Sequence, residues 1–249
     1  MLKPKIIIAM SLLSIFGCAK KSAPTFPQDT ITAADGSPIT LTFFQHAALS
    51  VAWHDHIIYI DPVGEGIDWA KLPKADIILI THSHYDHFDL PTVETLRKSD
   101  CQIICDKTTA ETFDHDCTTM TPGAVTEPMA GLTIKATPAY NISEGHTQFH
   151  PREREDCGYL LTMGGTTIYI SGDTEDNVDV LALRNIDIAF LPVNQPYTMT
   201  VEQAARTVRA ISPKIFYPYH YGQVEEKTDI DALVRALDGV CEVRVRPME

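Results

Sequence analysis

Cations are scarce in this chain: 20 lysines and arginines stand against 33 aspartates and glutamates, a formal net charge of −13. The two basic residues before Cys18 are Lys3 and Lys5, so the chain from Cys18 onward is more acidic still. Such a surface repels phosphate backbones, and the only basic clusters are Lys20-Lys21 and the acid-interleaved Arg152 and Arg154. No nucleic-acid partner is expected. Long apolar runs are also missing: the stretch from Ile6 to Phe16, broken by Ser11 and Ser14, is too short to span a bilayer comfortably. No C-x-x-C pair occurs among the six cysteines, which argues against a thiol-based zinc knuckle.

What the N-terminus does have is the grammar of a signal peptide, two lysines followed by a short apolar core. It ends in Ser14-Ile15-Phe16-Gly17-Cys18, which resembles the lipobox of bacterial lipoproteins. The resulting expectation is a signal peptide over 1–17, a lipidated Cys18 with a polar tether over 18–37, and one folded domain over 38–249. Acyl chains would then hold the protein at a membrane surface of the cell envelope, facing the periplasm. In that oxidising compartment Cys105 or Cys101 can pair with Cys117, although all five remaining cysteines also read as small buried residues.

From Pro38 onward the chain reads as an early meander of short β-runs, then as strands alternating with helices. Ile39 to Phe43, His56 to Asp61 and Ala75 to Ile80 are strands. A helix starts near Asp89, where Leu90, Val93 and Leu96 fall at helical spacing behind a capping carboxylate. A second copy follows: Thr166 to Ile170, a helix around Val178 to Leu183, then Ile186 to Leu191. Tyr59 and Asp76 in the first copy answer to Tyr169 and Asp187 in the second. Two such halves predict an α/β fold in which two sheets stack face to face with helices outside, a four-layer αββα sandwich. The helix after Met199 suits an outer layer. Thr200 and Gln203 form a capping box, and Val201, Ala204, Ala205, Val208 and Ile211 make one apolar stripe.

The chemistry concentrates where the strand Ile77 to Ile80 stops. His82-x-His84-x-Asp86-His87 packs three imidazoles and a carboxylate into one short segment, on a loop carried by a rigid strand. Neutral imidazole and carboxylate suit zinc, manganese or ferrous iron. Alternation puts His82 and His84 on one side, while Asp86 and His87 can turn toward a second ion. Asp173, in the turn after the second-half strand, and His220, at the end of Lys214 to Tyr219, sit where further ligands belong. Singly, Asp173 also reads as a helix N-cap and His220 as a hydrogen-bonded core histidine.

Taken in order, these segments resemble the metallo-β-lactamase superfamily. Within it they resemble the metal-dependent hydrolases that include ascorbate-phosphate lactonases and the phospholipase D acting on N-acyl-phosphatidylethanolamines. The resemblance runs from about Thr40 to Gly222. It is carried by Gln45-His46-Ala47-Ala48-Leu49, Tyr59-Ile60-Asp61-Pro62, the His82 to His87 motif, Ala139-Tyr140-Asn141, His150-Pro151, Gly172-Asp173-Thr174, Leu191-Pro192-Val193-Asn194 and Pro218-Tyr219-His220. It implies two divalent ions, zinc or alternatively manganese. One would be held by His82, His84 and a middle histidine, the other by Asp86, His87 and His220, with Asp173 bridging. His150, followed by Pro151, matches the middle position better than His146. After His150-Pro151 the family places lysine and glycine where this chain has Arg152-Glu153-Arg154-Glu155-Asp156.

A hydroxide bridging the two ions would attack an ester, phosphodiester or lactone. Lactam-opening relatives often carry cysteine at the position of Asp173, which argues against antibiotic hydrolysis. His46 and Asp61 are candidates to orient ligands by hydrogen bonding. Asn194 and Tyr197, and after them Tyr219 and Tyr221, are candidates to contact a small-molecule or lipid-like ester substrate. The rivals are a non-catalytic, metal-containing lipoprotein that binds a ligand and a di-iron redox protein. The redox relatives use glutamate at the position of His84, and no flavin domain is present. Oligomeric state is not encoded in these motifs.

Overall fold

The computed structural model describes residues 25–113, 116–222, 224 and 227–248. The expected leader and lipidated Cys18 lie outside the described residues. Among the described residues no helix is long and apolar enough to cross a membrane.

The first half opens with an antiparallel meander of β1 (Gln28–Thr32), β2 (Pro38–Phe43), β3 (Leu49–Trp53) and β4 (His56–Ile60). It continues in parallel through β5 (Ala75–Ile80), β6 (Arg97–Asp106) and β7 (Thr118–Met120), with α1 (Leu90–Leu96) and α2 (Lys107–Ala110) as the crossovers. The second half repeats the scheme. An antiparallel run of β8 (Val125–Met129), β9 (Leu132–Pro138), β10 (Cys157–Met163) and β11 (Thr166–Ile170) leads into parallel β12 (Ile188–Pro192), β13 (Ile215–Tyr219) and β14 (Glu242–Val243). Each sheet has seven strands in sequence order. The helices α3 (Val178–Leu181), α4 (Val201–Ile211) and α5 (Ile230–Ala236) belong to this half.

The duplication has an atomic counterpart. Asp76 Oδ2 accepts from the Ile57 amide at 2.7 Å, and Asp187 Oδ2 accepts from the Thr167 amide at 2.8 Å. Each carboxylate sits at the foot of a parallel strand and ties it to the end of the preceding hairpin.

Strand periodicity then builds the layers. Ile77 and Leu79 of β5 face Ile168 and Phe190 of the other half in the core between the sheets, while Ile78 and Ile80 pack outward against Val93 and Leu96 of α1. Ala189 and Leu191 of β12 likewise pack outward on Ala204, Val208 and Ile211 of α4. Strands buried on both faces read as continuous apolar runs, as β5 and β12 do. Each such side chain contributes about 1.5–3 kcal/mol on full burial. The result is the αββα sandwich that the sequence predicts.

Local signals set the helix ends. Thr200 Oγ1 accepts from the Gln203 amide at 3.1 Å, Gln203 Oε1 accepts from the Thr200 amide at 2.8 Å, and Ser212, at φ 49°, stops α4. Asp89 Oδ2 accepts from the Thr92 amide at 3.0 Å and starts α1. The helix expected from Val178 to Leu183 is shorter, ending at Leu181.

One boundary needs correction. Among the described residues the first strand is β1, inside the stretch read as tether, and Ala34 donates its amide to Thr166 Oγ1 at 2.9 Å. The strand was hidden because Gln28-Asp29-Thr30-Ile31-Thr32 is a half-exposed edge strand with a single large apolar residue. The cysteines Cys101, Cys105, Cys117, Cys157 and Cys241 are all free, and Cys105 lies buried beside Cys117.

Candidate metal centre

Strands of both halves end on one side of the sandwich. β5 delivers Thr81 to His87, β11 delivers Ser171-Gly172-Asp173, and β13 delivers His220. Close backbone approach is built in by glycine: a Cβ on Gly158 would lie 2.5 Å from the Ser171 carbonyl oxygen, and Gly172 adopts φ 62°. His46, Asp61 and His220 hold left-handed φ values of 56°, 43° and 51°, a concentration of backbone strain that the surroundings must enforce. His46 is pinned on both sides, donating its amide to Met248 O at 2.6 Å and accepting from the His220 amide at 3.1 Å.

The side chains form two donor clusters. In the first, His82 Nε2 lies 3.0 Å from His84 Nδ1, and His150 joins them. In the second, His220 Nε2 lies 3.5 Å from Asp86 Oδ2, with His87 and His46 converging on the same point. Asp173 reaches both. Its Oδ1 is 3.3 Å from His87 Nε2, and its Oδ2 is 3.3 Å from His150 Nε2 and 3.2 Å from His220 Nε2. Such separations would suit nitrogen and oxygen ligands standing about 2.0–2.2 Å from an ion.

Hydrogen bonding decides which nitrogens are free to ligate. Asp61, wholly buried, accepts from the Thr81 amide at 2.8 Å and from Thr81 Oγ1 at 2.7 Å. Having given its proton to Asp61, Thr81 Oγ1 can only accept from His82 Nδ1, 3.0 Å away. Asp61 Oδ2 also takes the proton of His87 Nδ1 at 2.8 Å. Both imidazoles therefore carry hydrogen on Nδ1 and offer Nε2 to the clusters. Asp156 Oδ2 stands 3.5 Å from His150 Nδ1, beyond a formed hydrogen bond but with a charge that favours hydrogen on that nitrogen.

Several atoms left over fit a cation. His87 Nε2, His220 Nε2 and Asp173 Oδ1 are buried with no hydrogen-bond partner, a costly arrangement in a protein interior. The local field is equally suited. Burial opposes ionisation of Asp173, but His220 and His87 outweigh it and hold the carboxyl well below its usual range. Burial likewise opposes charge on His220, but Asp173 and Asp86 raise its pKa to about 9. The carboxylates that hold a proton on His220 would also favour a divalent cation beside it.

All seven expected ligands, His82, His84, Asp86, His87, His150, Asp173 and His220, thus meet in one place. Of the two middle histidines, His150 faces Asp173, whereas His146 points to Glu175 at 3.4 Å. Asn194 lines the cavity above the centre and its side-chain amide lies 3.3 Å from His220 Nδ1, while Tyr197 stands on the rim. Tyr219 and Tyr221 do not line it: their hydroxyls donate to the carbonyls of Gly172 and Arg246. The sequence reading overlooked Asp156 and Phe149. Asp156 left only the faint trace of an acid directly before the strand at Cys157, and Phe149 left none.

Comparison with known proteins shows the family and the fold. A family model described as beta-lactamase superfamily domain matches residues 40–220. The chain is 32% identical over 199 residues to a UPF0173 metal-dependent hydrolase of Thermococcus kodakarensis, covering 74% of this chain and 84% of that one. A crystal structure of a metal-dependent hydrolase from Parabacteroides distasonis superposes with a TM-score of 0.85 at 43% identity, covering 90% of this chain and all of that one. Igni18, a metallo hydrolase of Ignicoccus hospitalis, shares the fold at 24% identity and a TM-score of 0.70, covering 84% and 95% of the two chains. The chain belongs to the metallo-β-lactamase superfamily of metal-dependent hydrolases.

Proposed function

We propose that the chain uses water to open an ester, phosphodiester or lactone bond at a binuclear centre of two divalent ions, zinc or manganese. His82, His84 and His150 would hold one ion, and Asp86, His87 and His220 the other. The observation that carries the reading is Asp173, whose two oxygens each lie 3.3 Å or less from an imidazole nitrogen of a different cluster. Ions bound there would polarise the substrate oxygen and lower the pKa of a shared water to near neutrality.

The remaining work falls to the chain itself. Asp61 and Thr81 fix the rings of His82 and His87, so little reorganisation would accompany reaction there. Asn194 Nδ2 lies 3.3 Å from His220 Nδ1; ligation of His220 through Nε2 would put the proton on Nδ1 and call for the flipped amide, with its oxygen on His220 and its NH2 group toward the cavity as a donor to substrate. Tyr197, at the rim, is placed to hydrogen-bond a leaving group.

Acylation of Cys18 would hold this activity at a membrane surface. The supporting pattern is Lys3, Lys5, the apolar run and Ser14 to Cys18, and Cys18→Ser would release the protein from the membrane fraction. The catalytic reading is tested by turnover of bis(p-nitrophenyl) phosphate, simple lactones and p-nitrophenyl esters with and without chelator. Chelator-sensitive turnover of at least one class supports it; turnover indifferent to chelator contradicts it.

A further inference from the structure

The cavity over the metal centre has a volume of about 320 Å³ and two chemically distinct parts. Its floor is His84, Asp86, His150, Asp173 and His220. Its rim is Tyr85, Phe149, Tyr197 and Val224. Tyr85 stands between two expected ligands, His84 and Asp86, yet is 88% exposed, so no packing role explains its ring; Tyr197 is 40% exposed. The rings of Phe149 and Tyr197 meet edge to face at 4.8 Å. That pair is preorganised: Asn141 donates its side-chain amide to Tyr197 O at 2.7 Å and its backbone amide to His150 O at 2.9 Å, tying the two rim loops together.

Charge supplies the second half of the case. Among the described residues that line the cavity there is neither lysine nor arginine. Arg154 does not line the cavity but donates to the ring of His84 at its edge, and the rest of its guanidinium is taken up by Asp156 at 3.0 Å and Ser83 at 3.4 Å. A phosphodiester keeps its negative charge in the site and would have only the two ions to hold it there, without the arginine or lysine that often shares that task. A neutral carbonyl needs none, and an aromatic rim rewards an apolar substituent.

From these observations the geometry points to a neutral carboxylic ester or lactone carrying an apolar acyl or aryl group as the substrate class, with Tyr85 and Phe149 as its specificity-determining residues. This rests on the hydrolase reading above. In the reaction, the oxygen of water bonds to the carbonyl carbon and the acyl carbon–oxygen bond breaks. The leaving oxygen takes a proton from that water, giving one carboxylic acid and one alcohol, or a hydroxy acid from a lactone.

The test uses the full chain loaded with zinc and three substrates sharing one aryl group: p-nitrophenyl acetate, p-nitrophenyl hexanoate and bis(p-nitrophenyl) phosphate. The expected result is kcat/KM for the hexanoate on the order of tenfold above the acetate and further above the phosphodiester. In Tyr85→Ala and Phe149→Ala the hexanoate-to-acetate ratio should fall toward one with metal content unchanged. A phosphodiester turned over as well as the hexanoate, or an unchanged ratio in both variants, overturns the inference and leaves the hydrolase reading standing. Failure to turn over any ester, lactone or phosphodiester with metal bound overturns that reading itself.

Discussion

His87 Nδ1 lies 2.8 Å from Asp61 Oδ2, and both side chains are completely shielded from solvent. Asp61 is thereby the keystone of the orienting network, because the same carboxylate also fixes Thr81 and, through its hydroxyl, His82. Asp61→Ala should lower metal affinity about 10- to 100-fold, read by competition with a chromophoric chelator. Thr81→Val, which keeps the shape and removes the acceptor for His82, should weaken binding in the same direction. Wild-type affinity in both variants would contradict the orienting role.

Gly158 marks the closest approach of β10 to the turn that carries Asp173. A Cβ there would meet backbone at 2.5 Å and Thr137 Oγ1 at 2.8 Å, so Gly158→Ala must displace one or the other. The expected cost is about 1–3 kcal/mol in chemical denaturation, typical of overpacking, together with reduced hydrolysis as Asp173 shifts.

Asp29 joins the two ends of the chain. Its carboxylate accepts from Arg246 Nη2 at 2.7 and 2.8 Å and from the Tyr217 hydroxyl at 2.5 Å, linking β1 to the second sheet and the C-terminal segment. Burial raises its pKa, but Tyr217 and Arg246 outweigh that and hold it below the ordinary value of 3.8. A depressed carboxylate stabilises the fold above its unfolded pKa, and the contribution is lost as pH falls through the folded one. Asp29→Asn should therefore cost about 1–3 kcal/mol at pH 7, and its difference from wild type should shrink as the pH drops below about 4. Denaturation at both pH values checks the sign.

The parts of this architecture legible in the sequence are those encoded locally. The ligand run follows β5 without a break, so strand periodicity and motif spacing point to the same place. Asp76 and Asp187 reveal the duplication because each caps a hairpin within 20 residues of its own position. β1 and His46 behave differently. The edge strand is recognisable only once β2 supplies its partner, and His46 is held by Met248, at the far end of the chain. Asp156 and Phe149 acquire their roles only when the loop after Tyr140 folds over the centre, a contact that no periodicity records.

The central claim is that Asp173 is shared between two ion sites. Elemental analysis of the full chain and its variants, run beside ester hydrolysis, tests it most directly. The expected content is about two equivalents of zinc or manganese in the wild type. About one equivalent is expected in His84→Ala and in His220→Ala, and loss of hydrolysis in Asp173→Ala with the fold retained by circular dichroism. An Asp173→Ala variant that kept both its metal and its activity would contradict the claim.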